Sequence, residues 1–214
     1  MNIVFDFGAV LFEWKPAELL RRHLGHLTPT AEAATQLARD MFHHEDWQGF
    51  DRGTRELHDV ISSMGARLSL PSNLLHNFLN PIGELLTPIA TSVALLDQLR
   101  QRRDNQGDIR LYYLSNMPIA YARTLEQRHD FIDWFDGGIF SGDVKLVKPQ
   151  REIYELLGSR YGLEPSQTLF IDDLAANVEA ADALGWQTIH CCSTASLPAQ
   201  VLALLPGLPG QIRT

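Results

Sequence analysis

An acidic residue follows a short apolar run at the start of the chain, in NIVFDFGAVLF (residues 2–12). A carboxylate in the position of Asp6 can attack phosphorus and form an aspartyl-phosphate, which water later hydrolyses. That chemistry needs a metal to neutralise charge, and hydroxyl or cationic donors to hold the phosphoryl oxygens. Two residues after Asp6 stands Gly8, which has no side chain to transfer a proton.

Groups that suit phosphoryl oxygens occur further along the chain. Ser115 and Asn116 follow a second apolar run and offer a hydroxyl and an amide. Lys148, in GDVKLVKPQREIY, offers a positive charge that offsets carboxylates and phosphate. Each also has an ordinary structural use, because Ser115 and Asn116 can cap the following helix and an isolated lysine is usually solvated.

Two adjacent carboxylates follow a third apolar run, in LFIDDLAANVEAADALG (residues 169–185). Oxygen ligands of this kind are those that a hard divalent cation prefers, and we expect Asp173 to be a metal ligand. Asp172 and Asn177 are expected to support it. The alternative use of Asp172 and Asp173 is to cap the helix that follows them.

The elements that must position these residues are short strands separated by helices. β-Branched and aromatic content predicts strands at residues 2–6, 109–115, 138–140, 168–172 and 187–191. Helical patterns lie between the later strands, at 118–128, 150–161 and 175–184. This alternation predicts an α/β fold, a parallel sheet with helices on both faces. Asp6, Ser115 and Asp172 stand at predicted strand ends, where such sheets bind ligands, and this predicts one shared site.

The region between the first and second strands carries helical patterns and little strand signal. Helices are predicted at residues 16–24, 30–43, 53–64 and 71–79, and a further one from Thr87-Pro88. We therefore predict a core formed by residues 1–14 and 85–214 and an inserted all-α cap at residues 15–84. The cap contains a polar and aromatic cluster, HHEDW at residues 43–47. This cluster either packs within the cap or at its surface, or faces the site and supplies substrate contacts or an acid.

The composition narrows the class of protein. The 214 residues are 45% hydrophobic and 21% charged, which is typical of a soluble globular protein. A net charge of -8 argues against nucleic acid or an anionic membrane as partner and leaves a small phosphorylated ligand open. The two cysteines, Cys191 and Cys192, are adjacent, and we expect both to be reduced thiols. With no signal-like or membrane-spanning run, these features predict a cytoplasmic protein; the oligomeric state stays open.

The candidate residues together resemble the four motifs of the haloacid dehalogenase-like (HAD) hydrolase superfamily, in the same order. Asp6 is similar to the first-motif nucleophile and Ser115 to the second-motif hydroxyl. Lys148 is similar to the third-motif lysine and Asp173 to the fourth-motif metal ligand. The opening FDFGAVL, the capped layout and FSGDVKLVKP resemble one branch in particular. That branch includes bacterial α-glucose-1-phosphate phosphatase and the N-terminal phosphatase-like domain of soluble epoxide hydrolase.

The resemblance, which covers roughly residues 1–13 and 87–192, implies a Rossmann-like core with a helical cap. It also implies a Mg²⁺-dependent phosphomonoester hydrolase that forms an aspartyl-phosphate. The expected substrate is a small phosphorylated metabolite, with a sugar phosphate favoured. By the same resemblance, Asp6, the Gly8 carbonyl and Asp173 would hold Mg²⁺.

The family usually has Asp where Gly8 stands, and that Asp protonates the leaving group and then activates water. Losing such a group costs about a hundred- to ten-thousand-fold where proton transfer limits the rate. The cost is smaller if the leaving group departs readily, as from an anomeric phosphate, or if a cap residue or a water takes the role. The glucose-1-phosphate phosphatase branch resembles this chain at Gly8, which favours an active enzyme.

Two other functions remain as alternatives. In a 2-haloacid dehalogenase the Asp6 carboxylate would attack carbon without a metal. Dehalogenases of this superfamily have Tyr at the position of Gly8 and lack the paired acids of the fourth motif, which argues against this function. A non-catalytic binding protein of the same fold is supported by Gly8 alone, and a pure binder has no use for Asp6 and Asp173 together.

Overall fold

A computed structural model describes residues 1–205 and shows a five-stranded parallel sheet in the order β3-β2-β1-β4-β5. The strands are β1 (Asn2–Phe5), β2 (Arg110–Ser115), β3 (Gly137–Phe140), β4 (Thr168–Asp172) and β5 (Gln187–His190). Ile3, Val4 and Phe5 of the central strand have no exposed surface. A continuous apolar run of this kind is typical of a parallel strand covered on both faces.

The helices between and after the later strands lie on both faces of the sheet. They are α7 (Ala90–Gln106), α8 (Ile119–Arg128), α9 (Ser141–Val144), α10 (Arg151–Tyr161), α11 (Ala175–Asp182) and α12 (Leu197–Leu204). Short 3₁₀ turns occur at Asp130–Trp134 and Pro165–Gln167. Ile3 and Phe5 belong to one hydrophobic cluster and Val4 to another, because successive side chains of a strand point to opposite faces. The predicted α/β, Rossmann-like core is therefore confirmed.

The residues predicted to form the cap are helical. They contain α1 (Pro16–His23), α2 (Ala31–Phe42), α3 (Glu45–Asp51), α4 (Leu57–Leu68), α5 (Ser72–Leu79) and α6 (Ile82–Leu85). We keep the name cap for residues 15–84, and the division into two domains stays a prediction. Residues 206–214 of the predicted core lie outside the described residues. Within residues 1–205, no helix is long and apolar enough to cross a membrane.

The predicted helix at residues 53–64 is wrong at its start, and helix α3 was not predicted. Gly53 has φ +72°, a left-handed conformation that ends α3 and separates it from α4. Helix α3 begins after His44, whose ring accepts a hydrogen bond from the main-chain N–H of Asp46 at 3.2 Å. A seven-residue helix with its own cap is too short to give a clear periodic signal.

The predicted start of α7 at Thr87-Pro88 is also wrong. Pro88 forms an antiparallel bridge with Phe12, and the Thr87 carbonyl accepts a hydrogen bond from the Glu13 main-chain N–H at 2.8 Å. These bonds hold residues 87 and 88 extended beside the chain that leaves β1. The helix therefore begins at Ala90.

Candidate active site

Three carboxylates meet at the carboxyl end of the sheet. Asp6 follows β1, Asp172 ends β4, and β1 and β4 are hydrogen-bonded neighbours. One oxygen from each of Asp6, Asp172 and Asp173 lies within 4.8 Å of the others. Asp6 and Asp172 are buried, and Asp173 is partly buried. The sheet thus brings together three of the residues that the sequence predicts for one site.

Lys148 is the buried cation of this cluster. Its Nζ lies 2.9 Å from Asp6 Oδ1 and 2.6 Å from Asp172 Oδ2, and it donates a hydrogen bond to the Leu114 carbonyl at 2.8 Å. Burial lowers the pKa of the Lys148 ammonium, but Asp172 and then Asp6 raise it, and the net pKa lies above its usual value. Lys148 therefore stays charged between the two carboxylates.

Both side-chain oxygens of Asp172 accept hydrogen bonds from donors of the protein. Besides Lys148, the main-chain N–H of Leu174 donates to Oδ1 at 2.8 Å. The Asn177 amide donates to both oxygens, at 3.0 and 3.1 Å. Asp172 and Asn177 therefore fix one another and Lys148, while Asp173 is the more accessible carboxylate of the pair.

Asp6 and Asp173 carry more negative charge than the site neutralises. Burial raises the pKa of Asp6 to about 6, because burial together with the charge of Asp172 outweighs the Lys148 charge and the hydrogen bonds from Lys148 and Ser115. Burial, Asp6 and Asp172 raise the pKa of Asp173 to about 7. Three carboxylates around one ammonium form an oxygen-rich donor set that suits a hard divalent cation. The donor set therefore fits the Mg²⁺ that the resemblance implies.

Ser115 and Asn116 lie beside the carboxylates at the end of β2. Ser115 is 1% exposed, and its hydroxyl hydrogen-bonds to Asp6. The Asn116 amide donates to the Lys148 carbonyl at 2.9 Å, and its side-chain oxygen accepts the Lys148 main-chain N–H at 2.8 Å. Asn116 thus holds the backbone that carries Lys148, and its predicted contact with substrate stays a prediction.

Gly8 lies in a tight turn directly after Asp6. The Phe7 carbonyl accepts hydrogen bonds from the main-chain N–H groups of Leu11 and Phe12, at 2.9 and 2.8 Å. A Cβ on Gly8 would lie 3.7 Å from the Trp14 side chain, an ordinary van der Waals contact. A Cβ at this position therefore has room, and the role of the Gly8 carbonyl as a metal ligand stays a prediction.

The cap cluster at residues 43–47 is held together by contacts within the cap. Asp46 is buried and pairs with Arg55, and the His44 ring lies 2.9 Å from an Asp46 oxygen. Trp47 packs edge-on against Phe42, with ring centroids 4.7 Å apart. These contacts fit the interpretation in which the cluster packs within the cap.

A different cap carboxylate, Asp51, interacts with the site. Burial and the charge of Asp6 raise the pKa of Asp51 to about 8, against the opposing effect of Lys148. Sequence reasoning missed Asp51, because its position depends on a contact with Ser141, which is 90 residues away in the chain. The only local signal is Gly53, which marks the turn after it.

A pocket of about 410 Å³ opens beside Asp173. Apolar parts of its wall come from Trp14 and Ile89, and polar parts from Lys15 and His190. The His190 ring lies 2.9 Å from the Asp173 carbonyl oxygen. The pocket therefore offers room for a small molecule next to the carboxylates.

Among proteins of known sequence, the sesquiterpene phosphatase astK of Aspergillus oryzae is 29% identical over 187 residues, which cover 87% of each chain. Among solved structures, the HAD family enzyme BT-2542 of Bacteroides thetaiotaomicron, in complex with magnesium and inorganic phosphate, superposes with a TM-score of 0.65. It is 19% identical, and the match covers 88% of this chain and 92% of that one.

The L-2-haloacid dehalogenase of Xanthobacter autotrophicus superposes with a TM-score of 0.66 at 18% identity, over 97% of this chain and 84% of that one. At such identities the two structures show a shared fold. A family model of haloacid dehalogenase-like hydrolases matches residues 17–185. The chain is therefore an enzyme that belongs to the haloacid dehalogenase-like hydrolase family.

Proposed function

We propose that this enzyme hydrolyses the phosphomonoester of a small metabolite through an aspartyl-phosphate on Asp6. The observation that carries the proposal is the buried contact of Asp6 with Lys148, beside the accessible carboxylate of Asp173. This arrangement combines a nucleophile, a cation and a second metal ligand within one cluster. The phosphatase named among its relatives supports the same class of reaction.

Each group at the sheet edge has a role in this reaction. Asp6 attacks phosphorus in line with the departing oxygen, while Ser115 and Lys148 hold the phosphoryl oxygens, with Asn116 beside them. The cap excludes water until the aspartyl-phosphate is hydrolysed.

The metal proposed for the site is Mg²⁺. Its ligands would be Asp6, the Gly8 carbonyl and Asp173, with Asp172 and Asn177 as supporting residues. When bound, Mg²⁺ offsets the negative charge of the transferring phosphoryl group. The raised pKa values of Asp6 and Asp173 support this assignment, since they reflect carboxylate charge that a cation would neutralise.

The substrate class proposed first is a sugar phosphate, as the resemblance to glucose-1-phosphate phosphatases suggests. A terpenyl phosphate is the second candidate, and it is supported by the relative named a sesquiterpene phosphatase. Trp14 and Ile89 give the pocket beside Asp173 an apolar side that suits either a sugar ring or a hydrocarbon chain.

The alternatives from the sequence are less well supported. A dehalogenase has no use for the charge-bearing pair of Asp172 and Asp173, and a pure binding protein has none for Asp6 buried against Lys148. We also propose a cytoplasmic location, which is supported by two free cysteines, Cys191 and Cys192, and by the acidic composition. The proposed partner is a small phosphorylated metabolite, without nucleic acid or membrane.

The test is phosphate release by the wild type and by Asp6→Asn, with Mg²⁺ or with EDTA. The substrates are an aryl phosphate, a panel of sugar phosphates and a terpenyl phosphate, and the control variant is Asp59→Asn, whose carboxylate is exposed on the cap. We expect turnover that needs both Asp6 and Mg²⁺, and wild-type rates for the control. Full activity of Asp6→Asn would contradict the nucleophile. Halide release from a 2-haloacid, without phosphate release, would establish the dehalogenase instead.

A further inference from the structure

We propose that Asp51, a residue of the cap, supplies the general acid and base that Gly8 cannot supply. This inference rests on the proposed phosphatase function. It assigns the proton-transfer step to the C-terminal end of helix α3 and the nucleophilic step to the sheet.

The main chain at Asp51 is bonded directly to the core. The Ser141 hydroxyl donates a hydrogen bond to the Asp51 carbonyl at 2.5 Å and accepts one from the Met117 main-chain N–H at 2.8 Å. Met117 lies two residues after Ser115, at the end of β2. One hydroxyl thus joins the end of α3 to the loop that carries the phosphoryl-binding residues.

The turn after Asp51 leaves no space between cap and core. A Cβ on Gly53 would lie 2.4 Å from the Gly142 carbonyl oxygen, far inside van der Waals contact. The φ of Gly53, +72°, is also one that residues with a side chain rarely adopt. The two backbones therefore touch at this point, which fixes the height of Asp51 above the sheet.

Aromatic packing fixes the rotation of α3. Phe50 stacks edge-on against Tyr121 of α8, with ring centroids 5.4 Å apart, and Trp47 contacts the same ring at 6.3 Å. The Tyr121 hydroxyl donates a hydrogen bond to the Leu79 carbonyl at 2.7 Å, so the ring itself is held. The end of α3 that carries Asp51 is therefore held against α8.

The carboxylate of Asp51 is free to take part in chemistry. Within residues 1–205, no side chain forms a hydrogen bond or an ion pair with it, in contrast to Asp46 on the same helix. It interacts electrostatically with Asp6 and Lys148 of the core. Burial also raises the pKa of Asp51 to about 8, which supports a protonated group near neutral pH.

Asp51 gives up its proton in the first step of the proposed reaction and recovers it in the second. The Asp6 carboxylate forms a bond to phosphorus as the bond from phosphorus to the leaving oxygen breaks, and that oxygen takes the bonding pair and the proton of Asp51. The Asp51 carboxylate then accepts a proton from water as the water oxygen bonds to phosphorus. The bond from phosphorus to Asp6 breaks, which releases inorganic phosphate and restores both carboxyl groups.

The experiment compares wild type and Asp51→Asn on two substrates, phenyl phosphate and dinitrophenyl phosphate, with Mg²⁺. Phenolate is a poor leaving group that needs a proton, whereas dinitrophenolate departs without one. We expect Asp51→Asn to lower kcat/KM for phenyl phosphate by about a hundred- to ten-thousand-fold and to change that for dinitrophenyl phosphate by less than about tenfold. The ratio of the two values is independent of how much of the variant is folded.

A second variant restores the acid in the position usual for the family. Because a Cβ fits at Gly8, the double variant Asp51→Asn with Gly8→Asp should recover much of the phenyl phosphate activity. Asp59→Asn serves as the control and should leave the ratio unchanged. An equal loss on both substrates, or no loss on either, would overturn the role of Asp51. Failure of the wild type to release phosphate in an Asp6-dependent manner would instead overturn the proposed function itself.

Discussion

Asp46 and Asp51 lie five residues apart on helix α3, and the surroundings of these two carboxylates differ. Asp46 is buried and paired with Arg55 inside the cap, with Arg67 also 3.9 Å away. Asp51 has no such partner within residues 1–205 and interacts across the interface with charges of the core. A carboxylate that is fully paired stabilises the fold, whereas an unpaired one retains a proton that it can donate. The comparison therefore separates a structural acid from a proposed catalytic one on the same helix.

The largest expected effect comes from removing a cation that pairs buried carboxylates. Lys148→Met leaves Asp6 and Asp172 facing each other without their ammonium, and we expect a loss of about 3 kcal/mol in the free energy of unfolding. Urea denaturation measures this loss. Lys145→Met, at an exposed lysine of the same loop, is the control and should change stability little. Equal stability of the two variants would show that the pairing of these carboxylates contributes nothing.

The next prediction compares Asp46 with Asp51 of α3 directly. Asp46→Asn removes the charge that binds Arg55, and we expect it to lower the free energy of unfolding by about 1–2 kcal/mol while the ratio of the two aryl phosphate rates stays constant. Asp51→Asn should do the reverse, with little loss of stability. Denaturation and kinetics on the same preparations check both statements. A changed rate ratio in Asp46→Asn would contradict the division of roles.

A further effect is expected in the pH dependence of stability. Burial raises the pKa of Asp51 from its usual 3.8 to about 8, so the folded chain holds this proton more tightly than the unfolded chain does. Its contribution to the free energy of unfolding is therefore full at low pH and falls as pH rises from about 4 to about 8. Asp51→Asn lacks this loss. Its Tm relative to wild type should rise between pH 5 and pH 8, and a constant difference would contradict the raised pKa.

The smallest effect is expected from adding the family acid while Asp51 is present. Gly8→Asp places its Cβ in ordinary contact with Trp14, and we expect the free energy of unfolding to change by less than about 1 kcal/mol. Its kcat/KM for phenyl phosphate should rise only a few-fold, because Asp51 already supplies the proton. A hundredfold rise would indicate that wild type lacks an acid. Kinetics on both aryl phosphates give the answer.

The sheet and its edge were predictable from the sequence because the signal is local. The strands that carry the site contain buried apolar runs, such as Ile3 to Phe5, and the polar residues at their ends are visible in the sequence itself. The parallel arrangement then brings the ends together, so the meeting of Asp6 with Asp172 followed from topology alone.

The contribution of the cap was not predictable in the same way. Helix α3 is short, contains Gly49 and begins in a cluster without a clear hydrophobic period, so the sequence pattern did not predict it. The placement of Asp51 depends on Ser141 and Gly142, whose contacts join parts of the chain that are distant in sequence. The sequence pattern pointed to the neighbouring HHEDW cluster, whose Asp46 is already neutralised.

The contact of Gly53 with Gly142 also gives a means of controlling how far the cap closes. A methyl group at Gly53 would force the two backbones apart, because the atoms that it would meet belong to the Gly142 backbone and not to a flexible side chain. Gly53→Ala would therefore keep the cap displaced from the core without changing any charged group of the enzyme. Such a chain would expose the proposed aspartyl-phosphate to solvent and leave the proposed nucleophile and metal ligands unchanged. It would separate the exclusion of water from proton transfer, two roles of the cap that are normally measured together.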